Sequence, residues 1–224
     1  MLFDCDGVLV DSEPLVMRVE LALIAELGWP ITVDEAVAEH LGRSWPAIQA
    51  NIERHIGRPV PWDFVARAEA ERTRLFEQEL EPVAGVAEAA TAIERDGFMT
   101  CVASSGSHRR MALTLGLTGL RDRFVGRIFS AEDVSRGKPA PDLFLHAAAV
   151  MDATPASCVV VEDSPSGVEA ARAAGMGVIG YAARTPAHLL AEADIVIADM
   201  ADLRWAVTRF FTASGRDLTE EGQP

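Results

Sequence analysis

The sequence predicts an α/β protein, a parallel sheet covered by helices on both faces and interrupted after its first strand by an all-helical insert. Three observations carry this. The chain opens on a short apolar run, Leu2-Phe3, that ends in acidic residues. From about Pro14 to Leu80 no convincing strand occurs, and apolar residues recur at helical spacing. After Pro82, short apolar runs alternate with helical stretches, the pattern of strands joined by crossover helices.

In order, Leu2-Phe3 is the first strand. Leu15, Val19, Leu23 and Leu27 then form one helical face, Thr32 with Glu35 has the form of a capping box, and Ile48, Ile52 and Ile56 continue a helical stripe. Gly28, Gly42, Gly57 and the Pro59/Pro61 pair divide this section into roughly four helices. Strands follow at Met99 to Ala103, Val125 to Phe129, Cys158 to Val161, Gly177 to Gly180 and Ile195 to Ile197. Helices are expected over Val86 to Arg95, from near His108, and over Pro141 to Val150, Ser166 to Ala174 and Ala201 to Phe211. The expected organisation is a core of residues 1–13 and 81–213, a helical insert of residues 14–80, and a polar tail, 214–224.

With 224 residues, 49% of them apolar, the chain can bury a sizeable core without disulfides or structural metals. Its formal charge of −14 argues against a nucleic-acid partner, which needs a basic face. No polybasic segment supplies a membrane anchor, and no apolar run approaches the roughly 20 residues of a membrane span. A cytoplasmic monomer is the expectation. Cys5, Cys101 and Cys158 are far apart in apolar runs and read as small buried residues in a reducing compartment. Of the 20 basic residues 19 are arginine, and the single lysine is Lys138.

Four clusters fall at the expected strand ends, where open parallel sheets bind ligands. Asp4-Cys5-Asp6-Gly7 brings two carboxylates so close that they repel unless a cation lies between them or they divide the roles of nucleophile and acid. If the strand runs through all three residues, Asp4 and Asp6 share a side and Cys5 enters the core. An ordinary acidic strand-to-loop turn explains the same residues equally well. Ser104-Ser105-Gly106-Ser107 places small hydroxyl residues and a glycine before a helix, an anion cradle, although Ser107 also serves as a plain N-cap. Gly137-Lys138-Pro139 presents a compact ammonium suited to a phosphate and a carboxylate together. Glu162-Asp163, after the run Val159-Val160-Val161, offers oxygen ligands of the kind Mg²⁺ accepts, or else an acidic helix cap.

In this order, each at a strand end, the four clusters resemble the haloacid dehalogenase-like (HAD) hydrolase superfamily, and the helical insert resembles its members with an α-helical cap on a Rossmann-like core. The resemblance covers Leu2 to about Leu203. Asp11-Ser12-Glu13-Pro14 and Gly42-Arg43-Ser44 are similar to the branch containing sugar-phosphate phosphatases and β-phosphoglucomutase. The resemblance implies that Asp4 is a nucleophile forming an aspartyl-phosphate and Asp6 the general acid and base. Ser104, with Ser105 and Gly106 backbone N–H groups, would hold the phosphoryl oxygens, and Lys138 would bridge the phosphoryl group and Asp4. It further implies Mg²⁺ held by Asp4, the Asp6 carbonyl and Asp163, with Glu162 a ligand or an orienting residue, and a small phosphorylated metabolite as substrate. Arg43 is the expected substrate contact on the cap, which would close over the site and reopen. The mutase has a histidine in its first cap helix where this chain reads Glu13-Pro14-Leu15-Val16-Met17, which favours hydrolysis over phosphotransfer. Dehalogenation is disfavoured because those enzymes need no metal and leave Asp6 without a role. A non-catalytic phosphoacceptor domain would leave the cap unused.

Overall fold

The computed structural model describes residues 1–40 and 45–213. Gly42, Arg43, Ser44 and the tail 214–224 lie outside the described residues. The chain divides into two compact units, Ser12–Glu81 and the remainder, Met1–Asp11 with the chain from Pro82 onward.

The second of these is built on a six-stranded sheet of β1 (Leu2–Phe3), β2 (Cys101–Ser104), β3 (Ile128–Ser130), β4 (Val159–Glu162), β5 (Gly177–Tyr181) and β6 (Ile195–Ile197). The strand order is β3-β2-β1-β4-β5-β6 and every pairing is parallel. The chain therefore winds outward from β1 in one direction, then returns to β4 on its other side and winds outward again. The crevice where the order reverses is the expected ligand position for such a sheet.

Helices α5 (Val86–Arg95), α6 (His108–Leu117), α7 (Asp142–Val150) and α8 (Pro165–Ala173) lie in the crossovers between successive strands, β5 and β6 are joined through a short 3-10 turn at Ala187–Leu190, and α9 (Leu203–Ala213) follows the last strand. On one face Leu2, Cys101 and Val160, adjacent in register, pack with Leu143 and Ala147 of α7 and Ala171 of α8. Phe3 alternates to the other face, where its ring centroid lies 6.3 Å from that of Phe124. All three cysteines are buried free thiols.

The helical unit contains α1 (Glu13–Glu26), α2 (Val33–His40), α3 (Trp45–Ile56) and α4 (Phe64–Glu79). Val19, Leu23 and Leu27 of the expected stripe meet Ile52, Phe64 and Leu75 in one apolar cluster. The capping box at α2 is formed: the Thr32 and Glu35 backbone N–H groups donate reciprocally to Glu35 Oε2 (2.8 Å) and Thr32 Oγ1 (3.3 Å). Trp29 stacks on His55 at 3.8 Å and Trp45 on Phe64 at 5.6 Å, so both serve the unit's own packing, whereas Trp62 is 96% exposed.

Two expected strands begin too early. Met99 and Val125 are 58% and 67% exposed, and β2 and β3 start only at Cys101 and Ile128. Nor does β1 run through the first acidic cluster. It ends at Phe3, and the Gly7 N–H donates to the Val10 carbonyl (2.8 Å) while the Leu9 and Val10 N–H groups donate to Cys5 O, closing a tight turn. The inward–outward alternation expected for Asp4, Cys5 and Asp6 is thus replaced by turn geometry, although Cys5 is still fully buried.

Candidate active site

Asp4 follows β1 directly. Its backbone N–H still donates to Val161 O at 3.0 Å, which fixes it against β4, and the residue is 6% exposed. Lys138, on the loop after β3, reaches this point with a side chain 3% exposed. Its Nζ donates to Asp4 Oδ1 (2.6 Å) and to Glu162 Oε1 (2.5 Å), and it stands 4.8 Å from the centre of the Phe144 ring. One ammonium thus bridges two buried carboxylates delivered by adjacent strands.

Glu162 ends β4 and both its oxygens are engaged. Oε2 accepts from the Ser164 N–H and Oγ–H, each at 2.9 Å. Ser164 in turn caps α8, its Oγ accepting from the Gly167 N–H at 3.1 Å. The Glu162 carboxylate lies where a side chain on residue 167 would begin: a Cβ there would be 1.8 Å from Oε1, so only glycine fits. The neighbouring Asp163 goes elsewhere. Its Oδ2 would lie 1.9 Å from a Cβ on Gly7, which also has φ +80°, so the turn after Asp6 needs glycine on both counts.

Ser104 ends β2 and is buried, and its Oγ accepts from the Gly106 N–H at 3.1 Å. The Gly106 amide, expected to face phosphate, is thus donated within its own loop. Ser105 is exposed. Ser107 caps α6, accepting from the Arg110 N–H at 3.2 Å. Asp6 is brought to a residue the sequence reading passed over, with Arg110 Nη2 donating to Asp6 Oδ1 at 3.1 Å. Two arginines in the first turn of a helix oppose its dipole, and that anomaly at Arg109-Arg110 was the available signal.

The electrostatics follow from burial. Desolvation pushes the Asp4 carboxyl up to about 7; the Lys138 charge opposes this, and the charges of Glu162 and Asp6 add to it. Burial by itself would lower the Lys138 ammonium, but Asp4 and Glu162 together hold it above its ordinary value. Asp4, Glu162 and Asp163 are each under a tenth exposed. When all three are ionised, one ammonium leaves the cluster anionic, and a further hard cation fits that imbalance. Among the described residues no three His, Cys, Asp or Glu side chains form a metal cage. Mg²⁺ does not require one, since it binds through one or two carboxylates and keeps water or phosphate in its other positions.

Fold and site together define an α/β enzyme with a buried carboxylate–ammonium pair at the switch point of a parallel sheet. The family described as haloacid dehalogenase-like hydrolase matches residues 1–175, and the chain belongs to that family. It is 32% identical over 186 residues to 6-phosphogluconate phosphatase of Escherichia coli K12, covering 82% of each protein. It is 33% identical over 181 residues to hexitol phosphatase B of the same organism, covering 78% of this chain and 79% of that one. A crystal structure of a conserved haloacid dehalogenase-like protein of unknown function from Agrobacterium tumefaciens superposes with a TM-score of 0.84 at 36% identity, over 93% of this chain and 97% of the other. The protein is a hydrolase of phosphoric monoesters, and no helix among its described residues is long and apolar enough to cross a membrane.

Proposed function

We propose that the protein is a Mg²⁺-dependent phosphatase of a small phosphorylated sugar, acting through an aspartyl-phosphate on Asp4. The observation that carries this reading is the Lys138 ammonium held between Asp4 and Glu162 at the sheet's switch point. A carboxylate that attacks a phosphoryl group brings negative charge onto negative charge, so neutralisation and positioning are the main requirements.

An Asp4 oxygen bonds to phosphorus as the bond to the leaving oxygen breaks, and Asp6 gives that oxygen its proton, releasing the alcohol. Asp6 then takes a proton from water, whose oxygen displaces Asp4 and yields inorganic phosphate. Ser104 hydrogen-bonds the transferring oxygens, and Lys138 neutralises them while holding Asp4 in place. Asp4, Asp163 and the Asp6 carbonyl would hold Mg²⁺, which supplies further charge neutralisation at the phosphoryl group. Glu162 orients Lys138, because both of its oxygens are already committed.

Relatives acting on a sugar acid phosphate and on hexitol phosphates support the substrate class. Substrate choice is assigned to the helical unit as cap, with Arg43 the candidate contact for a second polar or anionic portion. Free cysteines suit a reducing compartment, and we place the enzyme in the cytoplasm.

The test is turnover of p-nitrophenyl phosphate and a sugar-phosphate panel with and without Mg²⁺, alongside Asp4→Asn. Metal-dependent turnover abolished in Asp4→Asn is expected. Full activity in that variant, or turnover indifferent to metal, overturns the reading.

A further inference from the structure

We infer that Arg110 is the positioning residue for Asp6, fixing the carboxylate that exchanges protons with the leaving group and with water; this rests on the acid–base role given to Asp6 above. Arg110 belongs to the first turn of α6, and its guanidinium crosses to the turn after β1, where Nη2 donates to Asp6 Oδ1 at 3.1 Å. Both side chains are about three-quarters buried, 27% and 22% exposed, so the pair is shielded from bulk solvent yet open enough to meet a substrate.

A positioning group is only as good as its base, and the base here is fixed from several sides. Ser107 Oγ caps the Arg110 N–H. His108, two residues before Arg110, donates its backbone N–H to Glu132 at 2.9 Å, and its ring nitrogen Nε2 lies 2.8 Å from Asp133. Ser130 Oγ–H donates to Gly106 O at 2.7 Å, tying the loop before α6 to the end of β3. One turn further along α6, Thr114 Oγ1–H donates to the Arg110 carbonyl at 3.1 Å and lies 3.9 Å from Cys5 Sγ, the residue just before Asp6. The helix thus grips the acidic turn at two successive residues, through Thr114 at Cys5 and through Arg110 at Asp6.

A cation in the first turn opposes the helix dipole, so stability of α6 does not account for Arg110. Holding a carboxylate does. Asp6 lies on the tight turn after β1, where a rotation about χ1 would carry its oxygens away from the leaving group, and the bond from Arg110 opposes that rotation. Displacements of about 1 Å at such a group cost on the order of 100-fold in rate.

The experiment measures kcat/KM for two aryl esters, p-nitrophenyl phosphate, whose leaving group departs as a stable anion, and phenyl phosphate, whose leaving group depends more on a proton. Wild type, Arg110→Ala, Arg110→Lys, Asp6→Asn and the Arg110→Ala/Asp6→Asn double variant are compared, and Arg110→Gln replaces the alanine variant if that one does not fold. Arg110→Ala is expected to lose roughly tenfold or more on phenyl phosphate beyond its loss on p-nitrophenyl phosphate, in the direction of Asp6→Asn. Arg110→Lys should restore most of the difference, and the double variant should be no worse than Asp6→Asn. If Asp6→Asn discriminates between the esters and Arg110→Ala loses equally on both, or nothing, the positioning role is wrong. If Asp6→Asn itself does not discriminate, the acid–base role falls and the inference falls with it.

Discussion

Exchanging Lys138 for arginine leaves the net charge unchanged and separates charge from geometry. The ammonium is a compact donor shared between Asp4 Oδ1 at 2.6 Å and Glu162 Oε1 at 2.5 Å, inside a space where the side chain is 3% exposed. The Phe144 ring, 4.8 Å from Nζ, bounds that space. A guanidinium is wider and planar and carries five N–H donors in a fixed fork, where the ammonium is compact and its three donors rotate. Overpacking of this kind costs about 1–3 kcal/mol, or roughly 2–4 °C in Tm per kcal/mol for a chain of this size. The catalytic loss is larger: removing a single preorganised charge-stabilising donor costs about 100- to 1000-fold in kcat, about 3–4 kcal/mol. Lys138→Met supplies the contrast. It leaves two buried carboxylates uncompensated, which costs about 3–5 kcal/mol of stability, and part of that loss should be recovered on acidification as they take up protons. The assay pairs Mg²⁺-dependent turnover with thermal unfolding at neutral pH. Lys138→Arg should melt roughly 2–12 °C below wild type, still folded at the assay temperature but with little turnover, while Lys138→Met should lose more stability as well as turnover. Near-normal turnover in Lys138→Arg would refute the argument that a point charge is required between these carboxylates.

Gly167→Ala puts a Cβ 1.8 Å from Glu162 Oε1, so the carboxylate must leave Lys138 and Ser164; a loss of about 1–3 kcal/mol in thermal unfolding, with reduced kcat, is expected. Gly7→Ala acts on the other acid: a left-handed φ costs about 1–2 kcal/mol, and the displaced Asp163 should weaken Mg²⁺ binding by calorimetry more than Gly167→Ala does. Desolvation raises the folded-state pKa of Asp4 from 3.8 to about 7. The folded state then holds a proton that the unfolded state releases, so this contribution is complete below the lower value and is lost as pH rises through the higher. In chelator, wild-type stability relative to Asp4→Asn should therefore fall across that window, and a flat difference would contradict the shift. Burial pushes the Cys101 thiol up to about 11, and Cys5 and Cys158 are also raised. A thiol reagent at mildly alkaline pH should accordingly label none of the three before unfolding and all of them after.

The parallel core was legible because each strand end is written contiguously: an apolar run, then a polar residue of the candidate site. Asp4, Ser104 and Glu162 all follow that rule. Apolarity did not reveal strand starts, since Met99 and Val125 are hydrophobic but exposed, and a strand begins only where the ladder finds a partner. Lys138 stood out as the single lysine, yet its contact with Glu162 depends on the return of the chain to the far side of β1, which no local pattern encodes. Arg110 was hidden for a different reason. Small hydroxyl residues and a glycine make the start of α6 resemble an anion cradle, and two arginines beside a cradle look like ordinary anion ligands although the helix dipole disfavours them there.

Sequence adjacency leaves the division of labour at Glu162-Asp163 open. A consecutive acidic pair suggests two ligands for one ion, but successive residues at a strand end face different ways. Glu162 turns to Lys138, to Ser164 and to the space above Gly167, while Asp163 lies against Gly7 on the turn after β1. The two glycines show that both placements are built in, because each lacks a side chain where one of these carboxylates lies. We propose that the pair is divided between two tasks, one acid setting the lysine that steadies Asp4 and the other offering its oxygens beside the Asp4 turn. On this division Glu162→Gln should retain measurable Mg²⁺ affinity while losing turnover through a misplaced Lys138, and Asp163→Asn should lose the metal first. Calorimetric Mg²⁺ titration of the two variants decides it: equal loss of affinity in both would return Glu162 to the coordination sphere and leave Lys138 without its orienting partner.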